Sequence, residues 1–178
     1  QAGLTVFKGE AESNNQNINN YILSLNFQPC KGFIAKINYL SDLQEATSFE
    51  GGIQNNVAYE AMSALNVQSQ IFLGDLTLSL DLVRGLEQAQ SGLLAQFRPQ
   101  AIPLAWSTVA SLGLSEMTTV SLTFEGSEEL PSDPELRFGA TLRHTLHQNF
   151  ALGFELLRSE FESQNDETLA TTQLEISF

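Results

Sequence analysis

The stretch from Thr168 to Phe178 ends in an alternation between two kinds of residue. Its even-numbered positions include Ala170, Leu174, Ile176 and Phe178, whereas its odd-numbered positions from 171 to 177 are polar, as at Glu175. Because successive side chains of a strand point to opposite faces, this pattern predicts a strand with one apolar and one polar face. Membrane-spanning β-barrels end in such a strand, which turns its apolar face to lipid and closes the sheet on the first strand.

The same alternation recurs throughout the chain. It is found at residues 4–12, 21–28, 33–39, 65–73, 76–83, 104–112, 119–125, 136–143 and 150–156. Most of these stretches approach the roughly 9 to 11 residues that a tilted strand needs to cross a bilayer. The sequence therefore predicts an all-β chain of about ten strands.

The connections between these stretches alternate in length. Short turns are predicted near Cys30, Gly74, Leu114 (in a turn from Gly113 to Glu116) and Gln148. Longer polar connections are predicted at 13–20, 41–60, 85–100, 126–134 and 163–167. Short turns on one side and long loops on the other are typical of a transmembrane antiparallel up-and-down β-barrel. We therefore predict a single barrel domain over 1–178 with both termini on the short-turn side; a soluble β-sandwich is the alternative.

Composition excludes several other classes. The net charge of -13, with 21 acidic and 8 basic residues, argues against a nucleic-acid partner, which requires clustered basic side chains. No apolar run approaches the roughly 18 to 20 residues of a spanning helix. The mean hydropathy of -0.08 is compatible with a membrane barrel, because only alternate residues of each strand face lipid. With Cys30 as its one cysteine, the chain contains no internal disulfide.

Three stretches of the C-terminal half occur together: Leu130–Ala140, Phe150–Glu155 and Thr168–Phe178. They resemble the end of the legiobactin-receptor-like siderophore porins, which carry a Leu-Pro … Arg-Tyr-Gly-Ala stretch, a Leu-Ala-Leu-Glu-Tyr strand and a closing Leu-Ala-Val-Glu-Phe. Weaker similarity extends to Thr5–Glu10 and Phe72–Leu78. Because the barrels of that family are longer, the resemblance covers their C-terminal portion, and this chain is a fragment, a shortened relative, or one piece of a barrel completed by another segment. The resemblance implies a bacterial outer-membrane location and iron-chelate uptake.

Charged residues within the predicted strands are the candidates for lining a lumen, because a charge at the lipid midplane costs about 2 to 4 kcal/mol. These lumen-lining candidates are Lys36, Asp81, Glu125, Arg137, Arg143, Glu155 and Glu175. One interpretation is a polar path, or a binding site where arginines meet a small anionic chelate. The other is a ladder of ion pairs that fills a narrow interior.

Two further sets of residues carry predicted roles. Tyr21, Tyr39 and Trp106 lie near predicted strand ends, as interface aromatics of a membrane barrel do. A sandwich would instead bury Trp106 fully. Leu174, Ile176 and Phe178 form the predicted barrel-closing and assembly signal, which implies outer-membrane lipid and the barrel-assembly machinery as partners.

Enzymatic activity is not predicted. No serine–histidine or paired-carboxylate signature is present, and the two histidines, His144 and His147, are spaced to point to opposite faces of a strand. We therefore predict no catalytic residue, metal or cofactor. The predicted function is an outer-membrane porin or transport protein that passes small solutes, ferric siderophores among them. The alternative is a non-conducting barrel that anchors or assembles with other envelope components. The substrate and the oligomeric state stay open.

Overall fold

The computed structural model describes residues 2–7, 20–41, 62–88, 98, 100–130, 133–147, 150–162 and 165–176. Ten strands form from the alternating stretches. They are β1 Ala2–Phe7, β2 Asn20–Cys30, β3 Phe33–Leu40, β4 Ala64–Leu73, β5 Leu76–Gly85, β6 Leu104–Ser115, β7 Thr118–Glu128, β8 Leu136–His147, β9 Phe150–Glu160 and β10 Glu167–Ile176. In the described part of the chain, no helix is long and apolar enough to cross a membrane.

The ten strands form one sheet in which each strand pairs with the next one along the chain. Every pairing is antiparallel. The predicted all-β, antiparallel up-and-down architecture is therefore confirmed. The predicted closure is not observed: within the described residues, β1 pairs only with β2 and β10 only with β9, so the sheet is open.

Two predicted turns were placed wrongly. β6 continues to Ser115, so the turn lies at residues 116–117, and a register shift between Gly113 and Ser115 absorbs the extra residue. β7 continues to Glu128, although residues 126–134 were predicted to be a loop. Gly126 lies in the strand and pairs with Trp106, and an added Cβ atom at this position would lie only 2.7 Å from the Trp106 ring.

The short turn between β4 and β5 depends on its glycine. Gly74 has φ +64°, a left-handed backbone conformation that residues other than glycine and asparagine rarely adopt. The turn therefore reverses the chain with two residues, Gly74 and Asp75. Most of the predicted long connections, namely residues 13–19, 42–60 and 89–97, lie outside the described residues.

Candidate functional site

The sheet has one apolar face, and this face is the exposed one. Pairing aligns a row of small and large apolar residues across seven strands: Ile71, Leu78, Ala110, Leu122, Ala140, Leu156 and Ala170. We call the side of the sheet that carries this row the apolar face. Leu122 and Leu156 are exposed, as are Phe124 and Phe154 on the same face. A single sheet normally buries its apolar face against a second layer, so this arrangement is inverted relative to a soluble sheet.

The opposite side, which we call the polar face, carries an equally continuous row. Its members, one from each strand from β3 to β10, are Lys36, Gln68, Asp81, Ser107, Glu125, Arg137, Ser159 and Glu167. Four of the seven predicted lumen-lining residues stand in this row. The other three, Arg143, Glu155 and Glu175, occupy positions of the same parity nearer the short-turn end, so all seven share the polar face. That this face lines a lumen stays a prediction.

A chain of hydrogen bonds crosses the polar face from β2 to β5. Ser24 Oγ donates to Asn38 Oδ1 at 2.7 Å, and Asn38 Nδ2 donates to Asn66 Oδ1 at 2.7 Å. Asn66 Nδ2 then donates to Asp81 Oδ1 at 2.6 Å. Asn38 is completely buried and Asn66 is 4% exposed, yet both are hydrogen-bonded, as buried polar groups must be. We call this chain the asparagine network.

A second chain crosses the polar face from β6 to β9. Ser107 Oγ donates to Glu125 Oε1 at 3.3 Å, and Glu125 Oε2 lies 3.5 Å from Arg137 Nη1. Arg137 Nε donates to Ser159 Oγ at 3.1 Å. We call this chain the arginine network; it holds the Arg137 guanidinium between a carboxylate and a hydroxyl.

The other three predicted lumen-lining residues, Arg143, Glu155 and Glu175, lie toward the short-turn end of the polar face. Arg143 Nη2 is 2.7 Å from Glu175 Oε2, and this ion pair bridges β8 and β10 across β9. Both side chains are more than half exposed. Thr141 Oγ1 donates a long bond of 3.4 Å to Glu155 Oε1. Both predicted arginines therefore face glutamates from the same predicted set, which is the ion-pair arrangement rather than a row of unpaired cations.

The long-connection end of the polar face is apolar. Ile22, Leu40, Ala64 and Val83 form a buried cluster there. Pairing aligns Ile22 with Leu40 and then Ala64, next to the asparagine network. This cluster was not predicted, and neither was the role of Asn38 and Asn66. The sequence does contain a signal for it: each of three consecutive strands carries an asparagine at an even-numbered position, at 26, 38 and 66.

The predicted interface aromatics all lie at the long-connection ends of their strands. Tyr21 and Tyr39 form a pair with ring centroids 5.9 Å apart. The Trp106 and Phe124 ring centroids are 5.2 Å apart, at a tilted angle of 47°. Trp106 is half-buried, whereas an ordinary sandwich core would bury it fully. Their contact with a membrane interface stays a prediction.

Of the predicted closing signal, Leu174 and Ile176 lie in β10 and are exposed, while Phe178 lies outside the described residues. Within the described ranges, no three His, Cys, Asp or Glu side chains come together as a metal site. The side chain of His144 faces Thr118, with 2.9 Å between Nδ1 and Oγ1.

No protein-family model, curated protein or solved structure matches this chain. The fold and the faces of the sheet therefore rest on the chain's own pattern and pairing.

Proposed function

We propose that this chain forms the wall of a transmembrane β-barrel in the bacterial outer membrane and passes small polar solutes along its polar face. One observation carries the proposal: the exposed face of the sheet is apolar, while the buried hydrogen-bonded groups lie on the opposite face. Lipid is the surrounding that suits such a sheet, because every alternate residue can face hydrocarbon while the polar residues face inward.

The free energy of burying the apolar face supports this placement. Fully burying a leucine or phenylalanine side chain contributes about 1.5 to 3 kcal/mol relative to leaving it in water. Leu122, Phe124, Leu142, Phe154 and Leu156 are all exposed on this face. A continuous exposed apolar patch of several large side chains is unusual on a monomeric soluble protein and indicates contact with a membrane or a partner.

The polar face supports passage of polar solutes rather than of apolar ones. Its rows offer hydroxyl, amide and carboxylate groups over many strands, from Asn38 to Ser159. A ferric siderophore is the narrower form of the proposal. An anionic chelate would meet the exposed Arg143 together with its partner Glu175, so it would have to compete with that ion pair.

A non-conducting barrel is the second candidate, and it too has a supporting observation. The asparagine and arginine networks pair the polar groups with one another, and Asn38 is completely buried. Fully paired side chains of this kind fill the interior of small barrels. In this reading the same polar face holds the strands together instead of conducting.

Conductance of the purified full chain in a planar bilayer separates the two candidates. Discrete current steps are expected for a pore, and their absence from protein that migrates faster on a gel before boiling than after would leave the non-conducting barrel. Protein that is soluble without detergent and has no heat-dependent mobility would refute the membrane barrel itself.

A matched pair of variants tests whether solutes follow the polar face. Ser107 and Thr108 are neighbours in β6, both half-buried and both hydroxylated, but they lie on opposite faces. Ser107→Trp should lower the single-channel conductance because the indole enters the solute path, whereas Thr108→Trp should leave it unchanged. Equal conductance of the two variants would contradict a path along the polar face.

A further inference from the structure

The two edges of the sheet are both unpaired. β1 is hydrogen-bonded to β2 alone and β10 to β9 alone among the described residues, and every residue of β10 is exposed. Free strand edges invite pairing with another strand, so a stable protein covers or pairs them. The pairing register of the other strands indicates which strand can pair with β10.

The two edges are displaced along the strand direction. Starting from Ala2 and moving at right angles through successive paired residues, the path reaches Leu25, Ile37, Val67, Leu82, Trp106, Gly126, Leu136 and Glu160. Glu160 follows Ser159, which is paired with Glu167, the first residue of β10. The first residue of β1 is therefore level with the start of β10. The start of β1 belongs to the short-turn end of the sheet, whereas the start of β10 belongs to the long-connection end.

A closed barrel requires a displacement of this kind, because its strands are tilted and the hydrogen-bond register is staggered around the circumference. Sliding the edges by ten residues, the length of β10, brings Ile176 opposite Ala2. Ten residues rise about 34 Å and ten strands span about 48 Å, so the strand tilt is about 35°. A displacement of about twelve residues gives a strand tilt of about 40°. A displacement of about eight residues gives a tilt of about 30°, which lies below the usual range of about 35 to 45°.

Only even displacements keep the two faces separate, because a slip of one residue moves every side chain to the other side. Leu4 is paired with Leu23, and Leu174 is paired with Leu152. Both partners stand on the apolar face. Since the number of strands is even, β1 and β10 also run in opposite directions, as antiparallel pairing needs.

From this stagger we infer that β10 pairs with β1 of the same chain, antiparallel, with Leu4 opposite Leu174 or, after two further residues, Ile176. The inference rests on the proposed barrel and specifies how it closes. The ten described strands already contain the register offset that a ten-stranded barrel needs, so β10 can pair with β1 without a second copy of the chain.

Cysteine cross-linking of the full chain in membranes tests this seam, in a Cys30→Ser background. The pairs are Leu4→Cys with Leu174→Cys and Leu4→Cys with Ile176→Cys. Directly opposite residues bring their Cβ atoms to about 4.5 to 5.5 Å, close enough for a disulfide after small adjustments. Leu4→Cys with Glu175→Cys is the matched control, because position 175 lies on the other face.

We expect an intramolecular disulfide, seen as a reductant-sensitive mobility change of the monomer, in one of the first two pairs and not in the control. Ala140→Cys with Leu156→Cys, which are paired in the sheet, shows that the oxidant reaches the strands. Val6→Cys with Thr172→Cys provides a second seam pair should a Leu4 variant fail to fold.

Three outcomes would overturn the seam: disulfides that form only between chains, cross-linking at position 175, or no seam disulfide while the 140–156 pair is oxidised. Conductance is recorded on the same samples and answers a separate question. A cross-linked barrel without current keeps the seam and removes the transport proposal. A conducting protein without a seam disulfide keeps the transport proposal and removes the seam.

Discussion

Replacing one leucine of the apolar face by arginine measures whether lipid covers that face. Leu122 is the best position, because it lies in the middle of β7 between Ala110 and Ala140 and is 58% exposed. On a water-exposed surface, Leu122→Arg should change the free energy of unfolding by no more than about 0.5 kcal/mol. At the midplane of a bilayer the same substitution costs about 2 to 4 kcal/mol.

Leu114 provides the matched control. It is 59% exposed, so water would treat the two leucines alike, but it is the second-last residue of β6 at the short-turn end of the sheet. There the arginine can extend to the headgroups, and Leu114→Arg should cost only about 0 to 1 kcal/mol. The membrane placement therefore predicts a difference of about 1 to 4 kcal/mol between two substitutions of equal chemistry.

Urea unfolding in lipid vesicles, followed by the emission of Trp106, the one tryptophan of the chain, measures both variants. With a slope of about 1 to 3 kcal/mol per molar urea, the Leu122→Arg midpoint should fall by about 1 M or more. Costs that agree within about 0.5 kcal/mol at the two positions would refute the reasoning. In that case the exposed leucines face water or a protein partner.

Three further predictions, on a crowded glycine, the asparagine network and an exposed ion pair, are tested by the same unfolding measurement. Gly126→Ala places a Cβ atom 2.7 Å from the indole ring of the paired strand and 2.8 Å from a backbone carbonyl, and should cost about 1 to 3 kcal/mol. Gly153→Ala, whose nearest contact would be 3.8 Å, should cost clearly less, and equal costs would rule out steric crowding as the cause. Asn66→Leu leaves the buried Asn38 amide without its acceptor and should cost about 1 to 3 kcal/mol. The double variant with Asn38→Leu should lose less stability than the sum of the two single variants. Strict additivity would show that the two asparagines are not energetically coupled. Arg143→Gln breaks an ion pair that is more than half exposed and should cost at most about 1 kcal/mol; a larger loss would mean that the pair is desolvated.

The strands could be predicted from sequence because alternation is a local property. The odd and even positions of β10 already separate a polar face from an apolar one, and the same holds for Asp81 between Leu80 and Leu82. The errors fell where a residue pairs with a distant one. Glycine is common in turns, yet Gly126 lies in β7, where it pairs with Trp106 and where the Trp106 ring leaves no room for a Cβ atom.

The candidate site was predictable in its membership but not in its connections. Alternation assigned Arg137 and Glu125 to one face, and pairing of β7 with β8 then placed them directly opposite each other. The roles of Asn38 and Asn66 were not predicted, because a neutral amide in a strand lacks the large cost of burying a charge that distinguishes arginine or glutamate. Their importance comes from complete burial beside the Ile22 cluster, which depends on neighbouring strands.

The sequence by itself determined that the chain is all-β, where most strands begin, and which residues of each strand share a face, since these follow from the two-residue period of the backbone. Only the tertiary structure decided which residues stand opposite one another, and therefore that the arginines face glutamates and that the asparagines join in one network. It also decided the stagger between β1 and β10, because each pairing adds its own displacement and only their accumulation across the sheet sets the total.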